Sequence, residues 1–224
     1  MKQFEKKVYS QNGEDGIIEE IFNRIGTTNK FFVEFGVQSG SECNTRLLRK
    51  HGWTGVWMDS SYENTNVHKV FLTVENINET FAKFEVPKEF DLLSIDIDGN
   101  DFWMWQALKK YEPRVVVIEY NAQISPEKVL TIPYNPKFRQ CSSPTRDDFF
   151  GASLWAFIEL GKRKGYEYLC VNELVNKKYV NAFFVKSEYI SRFDNIKIPK
   201  AIFTRFRHDS TKYELLINPF GKKS

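Results

Sequence analysis

The feature of this sequence that most constrains its fold is residues 31–40, a short apolar run that ends at glycine. Four apolar residues surround one acid, Glu34, and the glycines Gly36 and Gly40 follow four residues apart. An apolar run of this length, placed before a helical pattern, is typical of a central parallel strand that meets a tight turn. We expect Gly36 to let the backbone approach a ligand closely and Gly40 to open the next helix.

A second apolar run, residues 55–58, leads to Asp59, nineteen residues after Gly40. Nucleoside-binding α/β folds place a carboxylate at such a strand end, where it accepts hydrogen bonds from ribose hydroxyls. A glycine turn followed by a strand-end acid therefore predicts a nucleoside site. The same acid could instead cap a helix that starts at Ser60.

The rest of the chain alternates between strand and helix patterns. The predicted helices are residues 13–25, 41–50, 78–84, 101–111 and 151–164. The predicted strands are residues 31–35, 55–58, 70–74, 90–97 and 115–118, and residues 166–171 and 179–185 form a closing hairpin. This order predicts an α/β fold with an open, mostly parallel sheet and helices on both of its faces.

Residues 1–224 are predicted to form one domain, because a chain of this length fits a single core. Residues 121–150 contain four prolines and little periodicity. A loop of that length inside a domain predicts a substrate lid. Residues 186–224 carry nine Lys or Arg against four Asp or Glu. This basic segment is either a solvated tail or an attraction for a phosphate-bearing acceptor.

Several classes of protein are excluded by what the sequence lacks. The amino terminus is charged and has no apolar region of a signal peptide. No apolar run approaches the roughly 20 residues that span a bilayer. The cysteines Cys43, Cys141 and Cys170 fit neither a disulfide framework nor a zinc site, so we expect a cytoplasmic protein. Nucleic acid is not an expected partner, because no basic helix or aromatic-basic stripe is present.

Strand ends are where this sequence concentrates its acids. Six candidate ligand-facing positions fall there: Glu34, Gly36, Asp59, Asp96, Asp98 and Glu119. Because ligands of open parallel sheets bind beyond the carboxyl ends of the strands, we predict that these positions share one site.

Four segments carry a resemblance to a known family: residues 10–15, 34–40, 94–99 and 117–121. From Tyr9 to about Val185, the chain resembles the FkbM-like group of class I S-adenosylmethionine-dependent methyltransferases. The resemblance implies a Rossmann-like class I methyltransferase fold, with a mostly parallel seven-stranded sheet and a C-terminal antiparallel hairpin. The chain departs from the pattern at its glycine turn, which is Gly-x-x-x-Gly rather than Gly-x-Gly-x-Gly. It also reads Asp-Ile-Asp-Gly at residues 96–99, where the family usually has Asp-Val-Glu-Gly.

The resemblance implies S-adenosylmethionine as the cofactor and a set of residues around it. The implied cofactor contacts are Gln11, Glu34, Gly36, Gly40, Asp59, Asn76, Ile77 and Asp96. Asp59 would bind both ribose hydroxyls, and Asn76 and Ile77 would flank the adenine. Glu34 would face the methionine end or brace the glycine turn, although Glu34 and Gln11 could equally cap helices.

The implied reaction is the attack of an acceptor hydroxyl on the sulfonium methyl group, which requires removal of a proton. We expect Asp98 to act as the base, with Asp96 beside it and His68 in reserve. Residues 98–101 would also form a turn whose last residues cap the next helix.

Metal and substrate contacts are expected at the ends of the fourth and fifth strands and in the lid. Asp96, Glu119 and Asn121 form a predicted metal site, because carboxylate and amide oxygens suit Mg²⁺ or Mn²⁺. Tyr134, Arg139 and Asn121 are the predicted substrate contacts. Arg139 could pair with a phosphate group of the acceptor.

The expected acceptor is a small polar molecule that bears a sugar or a phosphate. We favour a sugar hydroxyl of a nucleotide-sugar or of a surface-glycan (capsular polysaccharide) precursor. A phosphate or phosphoramidate oxygen and a natural-product hydroxyl stay open, as does the oligomeric state. An NAD-dependent oxidoreductase is the alternative from a different class, and the lack of Gly-x-Gly-x-x-Gly counts against it. The acids Asp96, Asp98 and Glu119 count against a binding module without catalysis.

Overall fold

The computed structural model of the protein describes residues 1–124, 128–138, 150–172 and 180–194, and the backbone of Glu214–Leu215. The α-helices in these residues are α1 (Glu14–Ile25), α2 (Arg46–Lys50), α3 (Ile77–Lys83), α4 (Asp101–Ala107) and α5 (Leu154–Lys164). Two 3-10 helices span Lys2–Phe4 and Ser187–Phe193. None of the described helices has both the length and the apolar character that a bilayer crossing requires.

The centre of the fold is a mixed sheet. The strands are β1 (Phe31–Phe35), β2 (Thr54–Asp59), β3 (Val67–Lys69), β4 (Glu89–Ile95), β5 (Glu112–Tyr120), β6 (Leu130–Thr131), β7 (Tyr166–Val171), β8 (Val180–Lys186) and β9 (Glu214–Leu215). The large sheet has seven strands in the order β3-β2-β1-β4-β5-β8-β7, and β6 pairs with β9. Its neighbours are parallel except for β8, which runs antiparallel to β5 and β7. The predicted sheet, mostly parallel with a C-terminal antiparallel hairpin, is confirmed.

Both faces of the sheet are buried, because side chains along each strand alternate between two apolar clusters. Phe32 packs in one cluster with Ile18 of α1 and Leu48 of α2. Phe35, on the same strand, packs in the other cluster, to which α3, α4 and α5 contribute. Strands that are covered on both faces read as continuous apolar runs, which explains the strong sequence signal of β1 and β5.

The predicted strand at residues 70–74 is wrong, because the third strand of the sheet is β3, which ends at Lys69. Val70 and Val74 are partly buried against the core, and Leu72 is buried. The apolar alternation of these residues therefore comes from a loop that packs on the core and not from a strand in the sheet.

Two helix boundaries also differ from the prediction. Helix α2 begins at Arg46 and not at residue 41, because turns and bends occupy the preceding residues. Helix α4 ends at Ala107 and not at residue 111, and Pro113 lies inside β5. Strand β8 pairs with β5 only from Val115 onward, so the missing N–H of Pro113 breaks no bond to β8.

Parts of two predicted segments lie outside the described residues. The predicted lid, residues 121–150, and the predicted basic segment, residues 186–224, are described only in part. Arg139 and Cys141 fall in the parts that are not described.

A buried ion pair fixes the end of the sheet opposite to the strand carboxyl ends. Asp91 of β4 accepts hydrogen bonds from the backbone N–H of Thr28 at 2.9 Å and of Lys30 at 2.8 Å. Its carboxylate also pairs with Arg114 of β5 at 2.7 Å, and the Asp91 side chain is fully buried. Arg114 in turn lies 4.6 Å from the centre of the Tyr189 ring. The pair therefore joins the α1–β1 loop, two central strands and the helix Ser187–Phe193.

We expect Asp91→Asn to lower the free energy of unfolding by roughly 3–5 kcal/mol, because Arg114 is left buried without its charge partner. Urea unfolding followed by circular dichroism measures the change. The matched control is Glu112→Gln, which removes an ion pair of the same length, 2.7 Å, at a Glu112 side chain that is 64% exposed. The control should lose less than about 1 kcal/mol. Equal losses in the two variants would contradict the role assigned to Asp91.

Candidate active site

A pocket opens where the carboxyl ends of β1, β2, β4 and β5 meet the start of β8, with a volume of about 540 Å³. All six strand-end positions that the sequence singled out line it: Glu34, Gly36, Asp59, Asp96, Asp98 and Glu119. The parallel sheet therefore brings these positions together. Gln11, from the amino-terminal segment, lines the same pocket.

The glycine turn after β1 packs tightly against the ends of neighbouring strands. Gly36 has φ +83°, and its N–H donates a hydrogen bond to the carbonyl oxygen of Met58 at 2.9 Å. A Cβ at Gly36 would overlap the carbonyl oxygen of Asp96, so backbone contact with β4 requires glycine there. Gly40 does not open a helix, because α2 begins later, and that prediction is wrong. A Cβ at Gly40 would instead press on the Trp57 ring at 3.2 Å.

Glu34 is buried and holds the segment that enters α2. Its Oε1 accepts a hydrogen bond from the Asn44 N–H at 2.7 Å, and its Oε2 accepts from the Thr45 N–H at 2.9 Å. The Thr45 hydroxyl donates to the same Oε2 at 2.6 Å. Burial raises the pKa of Glu34, and these donors oppose that rise. These hydrogen bonds come from the two residues that precede α2, so they agree with the helix-capping role left open from the sequence and do not reach the glycine turn.

Asp59 joins the loops that follow β1 and β2. Its Oδ2 accepts a hydrogen bond from the Gln38 N–H at 2.8 Å. Its Oδ1 accepts from the N–H groups of Ser61 at 2.7 Å and Tyr62 at 3.0 Å. No helix starts at Ser60 in this described segment. Since a carboxylate offers about four acceptor positions and backbone groups occupy three, one stays open toward the pocket.

Three carboxylates crowd one corner of the pocket. Asp96, Asp98 and Glu119 each place an oxygen within 4.8 Å of the other two. Burial raises the pKa values of Asp96 and Glu119 well above their ordinary range, and mutual repulsion with the neighbouring acids adds to the rise. The pKa of Asp98 is also raised, mainly because the surrounding protein displaces water from its carboxylate and further because of the negative charge of Asp59. The corner therefore resists carrying three negative charges at once.

A turn after β4 presents Asp98 to the pocket. Asp98 has φ +58° and is the exposed member of the cluster. Asp101, the first residue of α4, accepts hydrogen bonds from the N–H groups of Ile97 and Gly99, both at 2.8 Å. Burial raises the pKa of Asp101 to about 6, although these two N–H groups lower it. Asp101 thus shapes the turn from which Asp98 faces the pocket.

Asn181 is a pocket residue that the sequence reasoning missed. It lies on β8 directly opposite Glu119 of β5. Its Nδ2 donates a hydrogen bond to Glu14 Oε1 at 2.9 Å, and Asn172 Nδ2 donates to the same atom at 2.8 Å. Among the described residues, Asn181 Oδ1 has no hydrogen-bond donor although the residue is only 7% exposed. Only the strand register brings Asn181 to this pocket, so no local motif could reveal it.

Two of the residues expected at the adenine do not line the pocket. Asn76 is engaged locally, because its Oδ1 accepts from the Thr73 N–H and its Nδ2 donates to the Phe71 carbonyl. Ile77 is fully buried in the core. Phe71 and Leu72 line the pocket in their place.

The reserve base and the expected substrate contacts also lie elsewhere. His68 is exposed and packs against Phe84, with 4.7 Å between ring centres. The Tyr134 hydroxyl donates to Glu75 Oε2 at 2.9 Å. Asn121 is fully buried, and its Nδ2 donates to the Phe150 carbonyl while its Oδ1 accepts from a backbone N–H. None of the three is among the pocket's lining residues.

The described wall of the pocket carries negative charge only. Its carboxylates are Glu14, Glu34, Glu42, Asp59, Asp96, Asp98 and Glu119. No Lys, Arg or His is among the described residues that line it. Such a wall attracts ligands that present positive charge or hydrogen-bond donors.

Comparison with known proteins gives one family and several solved structures. The family model described as "Methyltransferase FkbM domain" matches residues 19–168. No curated protein matches the chain. The chain is similar to the mitomycin 7-O-methyltransferase MmcR, with 12% identity and a TM-score of 0.38. The alignment covers 75% of this chain and 53% of that one, so the chain spans about half the length of MmcR.

Two further solved structures are similar to the chain at comparable levels. Magnesium protoporphyrin IX methyltransferase (ChlM) from Synechocystis PCC 6803, with bound SAM, is 10% identical, with a TM-score of 0.42 and 78% of each chain covered. The sugar N-methyltransferase KedS8 from Streptoalloteichus sp. ATCC 53650 is 11% identical, with a TM-score of 0.45. That alignment covers 77% of this chain and 86% of KedS8.

We expect the carboxylate corner to make the cation-free protein less stable as the pH rises. An acid whose pKa is raised by folding contributes stability below its ordinary pKa near 4, and that contribution is lost as the pH rises through the raised value. Glu119→Gln removes one charge from the corner. In the presence of a chelator, the Glu119→Gln variant should therefore melt at a higher temperature than the unmodified protein, and this difference should increase from pH 5 to pH 8.

The advantage of Glu119→Gln should be larger at pH 8 than at pH 5, because more carboxylates of the corner are then ionised in the unmodified protein. Thermal unfolding at each pH measures it. The control is Glu19→Gln, which removes an exposed carboxylate from α1 and should show a difference that does not change with pH. A Glu119→Gln difference that is also independent of pH would show that the acids do not repel each other.

Proposed function

Because the chain belongs to the FkbM methyltransferase domain family and is an S-adenosylmethionine-dependent methyltransferase, we propose that it methylates a hydroxyl oxygen of a sugar. The acceptor we favour is a sugar unit of a nucleotide-sugar or of a surface-glycan precursor. The observation that carries the proposal is the corner of Asp96, Asp98 and Glu119 beside the glycine turn. Carboxylates in that position suit the binding and deprotonation of hydroxyl groups, which donate hydrogen bonds.

The charge of the pocket supports a sugar hydroxyl over a phosphate or phosphoramidate oxygen as the reacting group. The described lining has seven carboxylates and no Lys, Arg or His. A phosphate oxygen placed as the reacting group at the carboxylate corner would meet repulsion there, with no compensating positive side chain among the described lining residues. Sugar hydroxyls are neutral donors, and several of them could be bound by the acids at once.

The pocket also suits the cofactor. We assign Asp59 to one ribose hydroxyl, since one of its acceptor positions stays open after three backbone N–H groups are bound. The glycine turn at Gly36 lies beside it, and Phe71 and Leu72 offer an apolar wall for the adenine. Gln11 lies at the same pocket and would close over the bound molecule.

The chemistry divides between the cofactor and the chain. Bound S-adenosylmethionine supplies an electrophilic methyl group, which forms a bond to the acceptor oxygen as its bond to sulfur breaks. Asp98 takes the proton of the acceptor hydroxyl, because it is the exposed acid of the corner and its raised pKa makes it a stronger base. Glu34 and Asp101 hold the turns on either side, so that the reacting groups stay aligned.

The compartment we propose is the cytoplasm. Cys43 is a free thiol buried inside the fold, and a reducing compartment keeps a cysteine in that state. The nucleotide-activated sugars that we favour as acceptors fit that location.

We expect Asp59→Asn to weaken the binding of S-adenosylhomocysteine on the order of tenfold, because a hydrogen bond to a charged acceptor is worth about 1.5–3 kcal/mol. Isothermal titration calorimetry measures the dissociation constant. Asparagine keeps one oxygen for the Ser61 and Tyr62 N–H groups but loses the acceptor of the Gln38 N–H, so an unchanged melting temperature without ligand must show that the loops stay in place. The control is Glu42→Gln, an exposed pocket-wall acid outside the carboxylate corner, which should bind as the unmodified protein does. Unchanged affinity in Asp59→Asn would remove Asp59 from the ribose.

The reaction is tested by transfer of an isotopically labelled methyl group from S-adenosylmethionine to a panel of free sugars, nucleotide-sugars and sugar phosphates. Mass spectrometry should find the label as an O-methyl group on a sugar ring. Asp98→Asn should lower turnover by about 100-fold or more while leaving the affinity for S-adenosylmethionine almost unchanged. Asparagine tolerates the left-handed backbone at this position, so the turn is preserved. Methylation of a phosphate oxygen or a nitrogen, or full activity in Asp98→Asn, would overturn the proposal.

A further inference from the structure

We propose that Asp96, Asp98 and Glu119 hold a divalent cation such as Mg²⁺ or Mn²⁺, and that the side-chain oxygen of Asn181 is a fourth protein oxygen at the same ion. The role of the ion in methyl transfer rests on the proposed function. The binding of the ion is a property of the chain alone and is tested without cofactor or acceptor.

The cluster has the chemistry of a hard-cation site. An oxygen from each of the three carboxylates lies within 4.8 Å of the others, which is a separation that one ion can bridge. Oxygen ligands of this kind suit Mg²⁺ and Mn²⁺. Glu119 is only 5% exposed, and among the described residues no group donates a hydrogen bond to its carboxylate. Buried charges are normally paired or bound to metal, and the described wall of the pocket offers no positive side chain to pair with them.

Asn181 is an independent observation that points to the same ligand. It lies directly across the β5–β8 pair from Glu119, and such neighbours have Cβ atoms about 4.5–5.5 Å apart on one face of the sheet. Its Nδ2 is tied to Glu14 at 2.9 Å, which fixes the amide and leaves the oxygen as its other end. That oxygen is buried at the pocket and has no donor among the described residues. An amide oxygen without a donor is suited to a cation or to water bound to one.

This ligand set differs from the set that the sequence predicted. Asn121 was expected beside Asp96 and Glu119, but its Oδ1 accepts the Gln123 N–H at 2.9 Å and its Nδ2 binds the Phe150 carbonyl at 3.0 Å. Both ends of the Asn121 amide therefore bind backbone groups of the loops around it. The antiparallel partner strand supplies an equivalent amide oxygen from Asn181.

The ion would act on the charge of the corner and on the acceptor. A bound divalent cation offsets the repulsion among the three acids and, as a Lewis acid, favours ionisation of a hydroxyl that contacts it. One oxygen of Asp98 suffices for contact with the ion. The other oxygen is then available to take the acceptor proton; the ion makes Asp98 a weaker base, but it also lowers the pKa of the hydroxyl that contacts it, so a weaker base suffices.

The experiment is a titration of the full chain with Mn²⁺, after treatment with a chelator and without S-adenosylmethionine. Electron paramagnetic resonance counts the free ion. We expect one Mn²⁺ to bind per chain and Mg²⁺ to displace it. Glu119→Gln should weaken binding on the order of tenfold or more, because a buried anionic ligand is lost. The matched control is Glu42→Gln, a pocket acid outside the cluster, which should not alter the affinity.

Asn181 is tested by removal of its side-chain oxygen. Asn181→Leu should weaken Mn²⁺ binding several-fold, because the fourth protein oxygen at the ion is lost. Asp98→Asn, at an exposed turn, serves as a second cluster variant if the buried ones fail to fold, and it should also weaken binding. Circular dichroism confirms that each variant is folded.

The outcomes separate this inference from the proposed function. If Glu119→Gln or Asp98→Asn binds Mn²⁺ as tightly as the unmodified chain does, the proposed metal site is wrong. This conclusion does not depend on the result of the methylation assay. Equal affinity for Mn²⁺ in Asn181→Leu and the unmodified chain would remove Asn181 from the ligand set. Mn²⁺ binding that follows the expected order would support the site even if no sugar were methylated.

Discussion

One electrostatic constraint governs the pocket: three carboxylates share a corner in which each has an oxygen within 4.8 Å of the others. A protein can tolerate such a group if protons, donors or a cation offset the charge. The other acids of the same rim have donors of their own. Glu34 and Asp101 are held by backbone N–H groups, and so is Asp59. The rim therefore contains acids that shape its loops and acids that are left for a ligand.

At the opposite end of the sheet, a buried carboxylate is neutralised by a positive side chain of the protein itself. There Asp91 is buried with two backbone donors and with Arg114, so its charge is matched inside the protein. The Asp91–Arg114 pair joins the α1–β1 loop, β4, β5 and the helix Ser187–Phe193 at that end. At the carboxyl ends of the strands, the described pocket wall has no positive side chain to match its acids.

Much of this site could be predicted from the sequence because it rests on local patterns. Glu34, Gly36 and Asp59 each follow or end a short apolar run, and parallel strands bring their ends to one edge whatever the order of the strands. The glycine at residue 36 is more strongly required than the pattern alone implied, because the carbonyl of Asp96 occupies the space of a Cβ.

The rest of the site depends on tertiary contacts that the sequence does not display. Asn181 reaches the pocket only through the antiparallel register of β8 against β5. Val70–Leu72 resemble a strand in sequence because they lie in a loop that packs on the core, and the pocket is lined there by Phe71 and Leu72 and not by Asn76 and Ile77. Asn121 follows a strand end, yet its amide is bound by the neighbouring loop. The position of a polar side chain in a sequence motif does not reveal whether its hydrogen-bonding groups are already bound by other parts of the protein.

The most direct test of the central claim is a crystal structure of the protein bound to S-adenosylhomocysteine. We expect the ribose to contact Asp59, the adenine to lie against Phe71 and Leu72, and the sulfur to face the corner of Asp96 and Asp98. Density for the ligand in another part of the molecule, or a corner whose carboxylates point away from the sulfur, would contradict the site described above.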